Sequence, residues 1–173
     1  MTARILRPLI ALALGLLALG VAQADQICRN DVPATAPDSR FRDNGDGTVT
    51  DHATGLVWKR CSEGLRGDDC ATGSLSAFTW QQALRHAEAH LFAGSDQWRV
   101  PNKKELASLV EQRCAEPAIN SECFPNTPPS LFWSSSPYVY FPNHSWGINF
   151  FDGQANYYNR YFDRSLRLVR GTR

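Results

Sequence analysis

Two hairpin dipeptides in succession, Asn44-Gly45 and Asp46-Gly47, stand between Phe41-Arg42-Asp43 and Thr48-Val49-Thr50-Asp51. This run limits the fold more than any other part of the chain. A type I′ turn needs positive φ at both central positions, which Asn, Asp and above all Gly tolerate, so the run predicts a tight reversal between two strands. Thr48-Val49-Thr50 is β-branched throughout, and Leu56-Val57-Trp58 repeats strand chemistry after a second turn over 51–55. A β-meander over 41–60 follows.

Helical spacing comes next. Trp80, Ala83, Leu84, Ala87 and Leu91 fall on one face of a predicted helix over 79–91. Thr79 and Gln82 form a capping box at its start. A second helix is predicted from Asn102, with Glu105 as capping partner and Leu106, Leu109 and Val110 as its buried stripe. Trp98 and Val100 anchor the approach to it. From Pro117 onward the chain is rich in Pro, Asn, Ser and aromatics, with short strands expected over 131–134, 145–151 and 166–170. Strands, two helices and a loop-rich β half make an α+β domain. Trp80, Trp98 and Trp133 are expected in its core, while Trp58 and Trp146 are open between core and surface.

The first 24 residues read as a signal peptide. Arg4 and Arg7 precede an apolar stretch of 13 residues from Leu9 to Val21, and Ala22-Gln23-Ala24 supplies a small-x-small cleavage pattern. Thirteen residues fall short of the roughly 20 that span a bilayer, so no stable membrane anchor is expected after cleavage. Residues 25–40 form a polar lead-in and 41–173 a single domain. The chain has 18 basic and 17 acidic residues, and the leader removes two arginines and no acids, leaving 16 against 17. A nucleic-acid partner asks for a basic excess that is not there. Export implies an oxidising compartment, periplasmic or extracellular, in which the five cysteines form disulfides. Cys61/Cys70 and Cys114/Cys123 each enclose eight residues and are the bridge candidates. Connectivity is open, with Cys28 the expected odd cysteine, free or reaching Cys61.

Several motifs point to chemistry and fall short of it. The 43–47 run carries turn carboxylates, but an EF-hand register from Asp43 puts glycine at ligand positions 3 and 5, so turn formation explains it and calcium is only a possibility. His86 and His90 are four apart, yet Ala87 stands where a zinc-protease helix has Glu, and the sequence offers no third ligand. No metal site or cofactor is expected. Cys123-Phe-Pro-Asn-Thr127 has threonine in place of the arginine of a sulfatase maturation motif. Ser134-Ser135-Ser136 lacks the Gly-x-Ser-x-Gly elbow that would make one of them a nucleophile, and pairing them with His144 and Asp152 is arbitrary. Arg160, Arg164, Arg167, Arg170 and Arg173 form a basic C-terminal stretch that a strand would divide between two faces. The most recognition-like segment is the polar aromatic stretch with Asn156, Tyr157, Tyr158 and Arg160, because Tyr offers contact area at low entropy cost and Asn adaptable hydrogen bonds.

Taken in order, the 41–60 meander, the 79–91 helix, Trp98-Arg-Val-Pro-Asn102, Phe132-Trp-Ser-Ser-Ser-Pro137, Trp146-Gly-Ile-Asn-Phe150 and Arg167-Leu-Val-Arg-Gly171 resemble the Legionella collagen-like protein C-terminal domain family. That is a conserved bacterial exported domain of unknown function. The resemblance implies a C-type-lectin-like fold: two helices, a small mainly antiparallel sheet joining the termini, and long loops. Its adhesin member is associated with glycosaminoglycans through a trimer, whereas this chain carries no Gly-x-y repeat. The expected function is a non-catalytic binding module for a glycan or protein, with Asn143, His144, Trp146, Asn156, Tyr157, Tyr158, Arg160 and Arg164 as ligand-binding candidates. The alternatives are an enzyme related to the formylglycine-generating group, which shares the broader fold and uses reactive cysteines, and a subunit of a surface or pilus assembly.

Overall fold

The computed structural model describes residues 26–171; the leader expected over 1–24 and Arg173 lie outside the described residues. The elements are β1 (Ile27–Cys28), β2 (Phe41–Asp43), β3 (Thr48–Asp51), β4 (Leu56–Lys59), β5 (Leu65–Arg66), β6 (Thr72–Gly73), α1 (Trp80–Glu88), α2 (Lys103–Ala107), β7 (Cys114–Ala115), β8 (Leu131–Pro137), β9 (His144–Asn149), β10 (Gln154–Asn159) and β11 (Val169–Gly171). Among the described residues the fold is mixed α and β, with two α-helices and several small antiparallel sheets.

The meander forms where the turn chemistry puts it. Phe41 pairs with Asp51 and Asp43 with Val49, and Gly45 and Gly47 take φ of 73° and 81° in the connecting turn. The turn's own carboxylates close it: Gly45 N donates to Asp43 Oδ1 at 2.9 Å and Thr48 N to Asp46 Oδ1 at 3.0 Å. β4 continues the sheet and β11 joins it from the C-terminal end, giving the order β11-β4-β3-β2. A second sheet runs β10-β9-β8. Ser165 stitches the two together, its amide donating to Leu131 O at 3.0 Å and its carbonyl accepting from Trp133 N at 3.1 Å.

Strand alternation then distributes the core. Residues i and i+1 of a strand face opposite sides, and three strands exploit this. Trp58, Phe132 and Val169 enter one apolar cluster, with Leu106, Leu109, Phe124 and Ile148. Val57, Trp133 and Leu168 enter a second, with Ala83, Ala87 and Trp98. α2 therefore closes one side of a central layer and α1 the other. Each fully buried large apolar side chain contributes about 1.5–3 kcal/mol relative to exposure. Trp58 and Trp133 are both completely buried, which resolves Trp58 as core. Gly147 is required by the tight packing of β9 on β8, since a Cβ there would lie 2.6 Å from Phe132 O.

Both capping boxes are present. Thr79 accepts from Gln82 N while Gln82 reaches back, and Asn102 and Glu105 do the same for α2. Glu105 also takes a two-pronged contact from Arg99, at 2.7 and 2.8 Å. The first helix ends at Glu88, earlier than its periodicity predicts: Ala89 leaves helical geometry at φ −92° and ψ 4°, and the chain then turns through Ala93 and Gly94 at positive φ. Leu91 consequently leaves the apolar face and is 76% exposed.

Cysteine pairing corrects an expectation. Cys61 bonds to Cys70, but Cys28 is not the odd cysteine: it bonds to Cys114, and Cys123 is the free one among the described residues. β1 and β7 pair with Cys28 directly opposite Cys114, a register set by a contact 86 residues apart in sequence. Loop spacing carries no information about such a contact. No helix among the described residues is long and apolar enough to cross a membrane.

Candidate functional site

The short second helix leaves part of a sheet uncovered. Five residues of α2 reach about 7.5 Å, whereas six residues of β9 run about 20 Å. Near the start of α2, Lys103 N donates to Ser136 Oγ at 3.0 Å. Its ammonium sits 3.8 Å from the Trp146 ring centroid, a cation–π contact at the helix's edge. Past that point the sheet face belongs to Trp146 and Tyr157, which oppose each other in the β9–β10 register and so share a side.

Over them folds the β8–β9 hairpin loop. Tyr138 stacks on Tyr157 with centroids 3.9 Å apart and rings parallel within 3°. Trp146 meets Tyr138 edge-on at 5.2 Å, and Tyr140 and Phe141 pack against Tyr138 at 5.6 and 5.7 Å. His144 contacts Phe141 and Tyr157 and keeps a buried Nδ1 without a hydrogen-bond partner. Desolvation first, then the phenols of Tyr157 and Tyr140, hold the Tyr138 hydroxyl above its ordinary value. Much of this aromatic surface is open. Val139 is 82% and Tyr140 77% exposed, with Phe141 and Tyr157 also exposed. Phe141 lies 6.0 Å from Tyr157, so these two exposed rings are neighbours on the surface.

The structure divides the candidates. His144, Trp146 and Tyr157 come together on this face, with exposed Asn143 in the turn before β9. Tyr158 faces the other way and packs on the second apolar cluster, beneath Arg164, whose guanidinium lies 5.5 Å from its ring. Asn156 alternates to that same side of β10. Arg160 is occupied internally, 4.0 Å over Trp80 and donating to Ser145 Oγ at 2.8 Å. The polar aromatic stretch is thus largely strand β10, and the period of two separates Tyr157 from Tyr158 and Asn156. The basic C-terminal stretch is dispersed as well. Arg167 is fully buried, donating to Lys59 O at 2.8 Å, to Arg60 O, and to Thr127 Oγ1 at 2.6 Å. Arg170 lies over Trp98.

Tyr138, Tyr140, Phe141 and Lys103 join the face without having been singled out from sequence. The run Tyr138-Val-Tyr-Phe141 was a detectable signal, since four consecutive large apolar residues between a strand and Pro142 need either a core or a partner. His86 and His90 stand elsewhere, at the end of α1, where the fold brings them Glu63: His86 Nε2 is 2.8 Å from Glu63 Oε2. Burial first, and the Lys59 ammonium second, keep His90 below its ordinary pKa.

A protein-family model described as the Lcl C-terminal domain matches residues 47–170. No curated protein and no solved structure matches the chain.

Proposed function

The chain belongs to the Lcl C-terminal domain family, and from that premise we propose that it is an exported, non-catalytic binding module that recognises glycans through the Tyr138–Trp146–Tyr157 face. The observation that carries this reading is the half-buried Tyr138 stacked on exposed Tyr157, with Trp146 edge-on beside it and Tyr140 and Phe141 exposed around it. Sugar rings present apolar C–H faces that lie on aromatic planes, and their hydroxyls take hydrogen bonds from amides and phenols. Tyr140, Phe141 and Asn143 supply the rim, and Lys103 adds positive charge for a carboxylated or sulfated sugar.

Other features support the same reading. Four of the five cysteines are held in two disulfides, which fits an oxidising compartment and leaves no adjacent thiol pair for formylglycine-type chemistry. Two helices, a sheet that receives the C-terminal strand and a loop-rich β half fit the C-type-lectin-like architecture that we assign to it. A glycan array probed with the purified protein, with and without calcium and at two salt concentrations, tests the function. Binding to at least one glycan, weakened about tenfold by Tyr157→Ala or Trp146→Ala, is expected, in line with an aromatic hot spot. Absence of binding to every glycan would remove the glycan reading and leave a protein partner in front.

A further inference from the structure

Away from the aromatic face, a cavity of about 570 Å³ lies between the meander, the β5–β6 hairpin and the end of α1, with Lys59, Glu63, His86, His90 and Phe92 among its lining residues. We propose that Glu63, His86 and His90 form a binding site for a divalent transition-metal ion of the zinc class, and that the Lys59 ammonium holds its place in the metal-free protein.

One carboxylate oxygen and one ring nitrogen from each histidine lie within 4.8 Å of one another. Two imidazoles and one carboxylate are the donor set of a three-ligand zinc site, whereas calcium and magnesium take oxygen donors. All three residues line the cavity. The state of Glu63 is the second, independent observation. It is 3% exposed, and its Oε1 is buried with no hydrogen-bond partner. The Lys59 ammonium lies 2.7 Å from that oxygen as its ion-pair partner. Lys59 thus compensates a buried carboxylate charge, a role that a bound metal cation can take over.

The same ammonium is 3.0 Å from His90 Nε2. A lysine ammonium only donates, so Nε2 carries the lone pair and Nδ1 the proton. An oxygen and a nitrogen lone pair therefore already converge on one cation. Lys59 is also 4.5 Å over the Phe92 ring, and its four-carbon stem lets it swing into the cavity when a stronger cation arrives. His86 donates its Nε2 proton to Glu63 Oε2 in the metal-free state, and coordination through Nε2 requires that this nitrogen give the proton up.

Zinc titration of the purified protein by calorimetry, with Co²⁺ absorption as a report on coordination, tests the site. The expected results are one saturable Zn²⁺ per chain, a Co²⁺ ligand-field band, and affinity lost by at least about tenfold in His86→Ala and in His90→Ala. Lys59→Met removes the competing cation and is expected to tighten binding, while His52→Ala, a turn residue outside the cluster, leaves it unchanged. Circular dichroism of each variant separates lost ligands from lost fold. Three results overturn the proposal: no saturable uptake at submillimolar Zn²⁺ by either the native protein or Lys59→Met, binding that survives both histidine substitutions, or an affinity indifferent to Lys59→Met.

Discussion

Removing the Cys28–Cys114 bridge with paired alanine substitutions is expected to cost more stability than removing Cys61–Cys70, although the first bridge ties down only a two-residue strand. A crosslink restricts the unfolded chain in proportion to the logarithm of the loop that it closes. For a separation of 86 residues the chain-entropy relation gives about 15 cal/mol/K, or about 4.6 kcal/mol at 25 °C. For a separation of 9 it gives about 9 cal/mol/K, or about 2.6 kcal/mol. The expected difference between the two paired variants is therefore about 2 kcal/mol. Urea unfolding followed by tryptophan fluorescence reads it, since Trp58 and Trp133 pass from full burial to water. In a thermal melt the longer bridge corresponds to roughly 9–18 °C in Tm for a chain of this size. If Cys61→Ala/Cys70→Ala costs as much as Cys28→Ala/Cys114→Ala, the loop-entropy reasoning fails. A neutral Cys28→Ala/Cys114→Ala variant refutes the pairing itself.

Glu105 offers a pH test. The hydrogen bond from Arg99, ahead of opposing desolvation, holds its carboxyl below the ordinary carboxylate value. A folded value below the unfolded one means that stability is fully present above the unfolded pKa and is lost as pH falls through the folded one. Glu105→Gln is expected to cost about 0.5–1 kcal/mol at neutral pH, a partly exposed pair being worth no more, and nothing in strong acid. A cost independent of pH would show the pair to be inert. Cys123 offers a thiol test: burial first, then the Asp38 carboxylate, push its pKa from 9.0 to about 11. At pH 8 it is expected to react with a disulfide reagent about 100-fold more slowly than an ordinary thiol. In urea one thiol per chain is expected, and a count of three or more would sink the disulfide pattern and revive the reactive-cysteine reading.

Local chemistry in the sequence determined the meander, both capping boxes and the burial of Trp98, Trp133, Leu106, Leu109 and Val110, because turns, caps and apolar stripes act over three to five residues. It picked out Trp146 and Tyr157 but not the Tyr138–Phe141 loop that packs over them. Three other features were decided only when distant segments met. Cys28 found Cys114 through a strand register 86 residues apart, overriding the short loop that spacing favours. Strand β10 turned Tyr157 outward and Tyr158 inward, a choice of face that depends on pairing with β9 and not on composition. Glu63, invisible as a partner in sequence, came within hydrogen-bonding distance of His86 because the loop after β4 crosses the end of α1. The two hairpin dipeptides thus specify where the chain turns. Which side chains then share a surface is set by the register of strands that the turns do not connect.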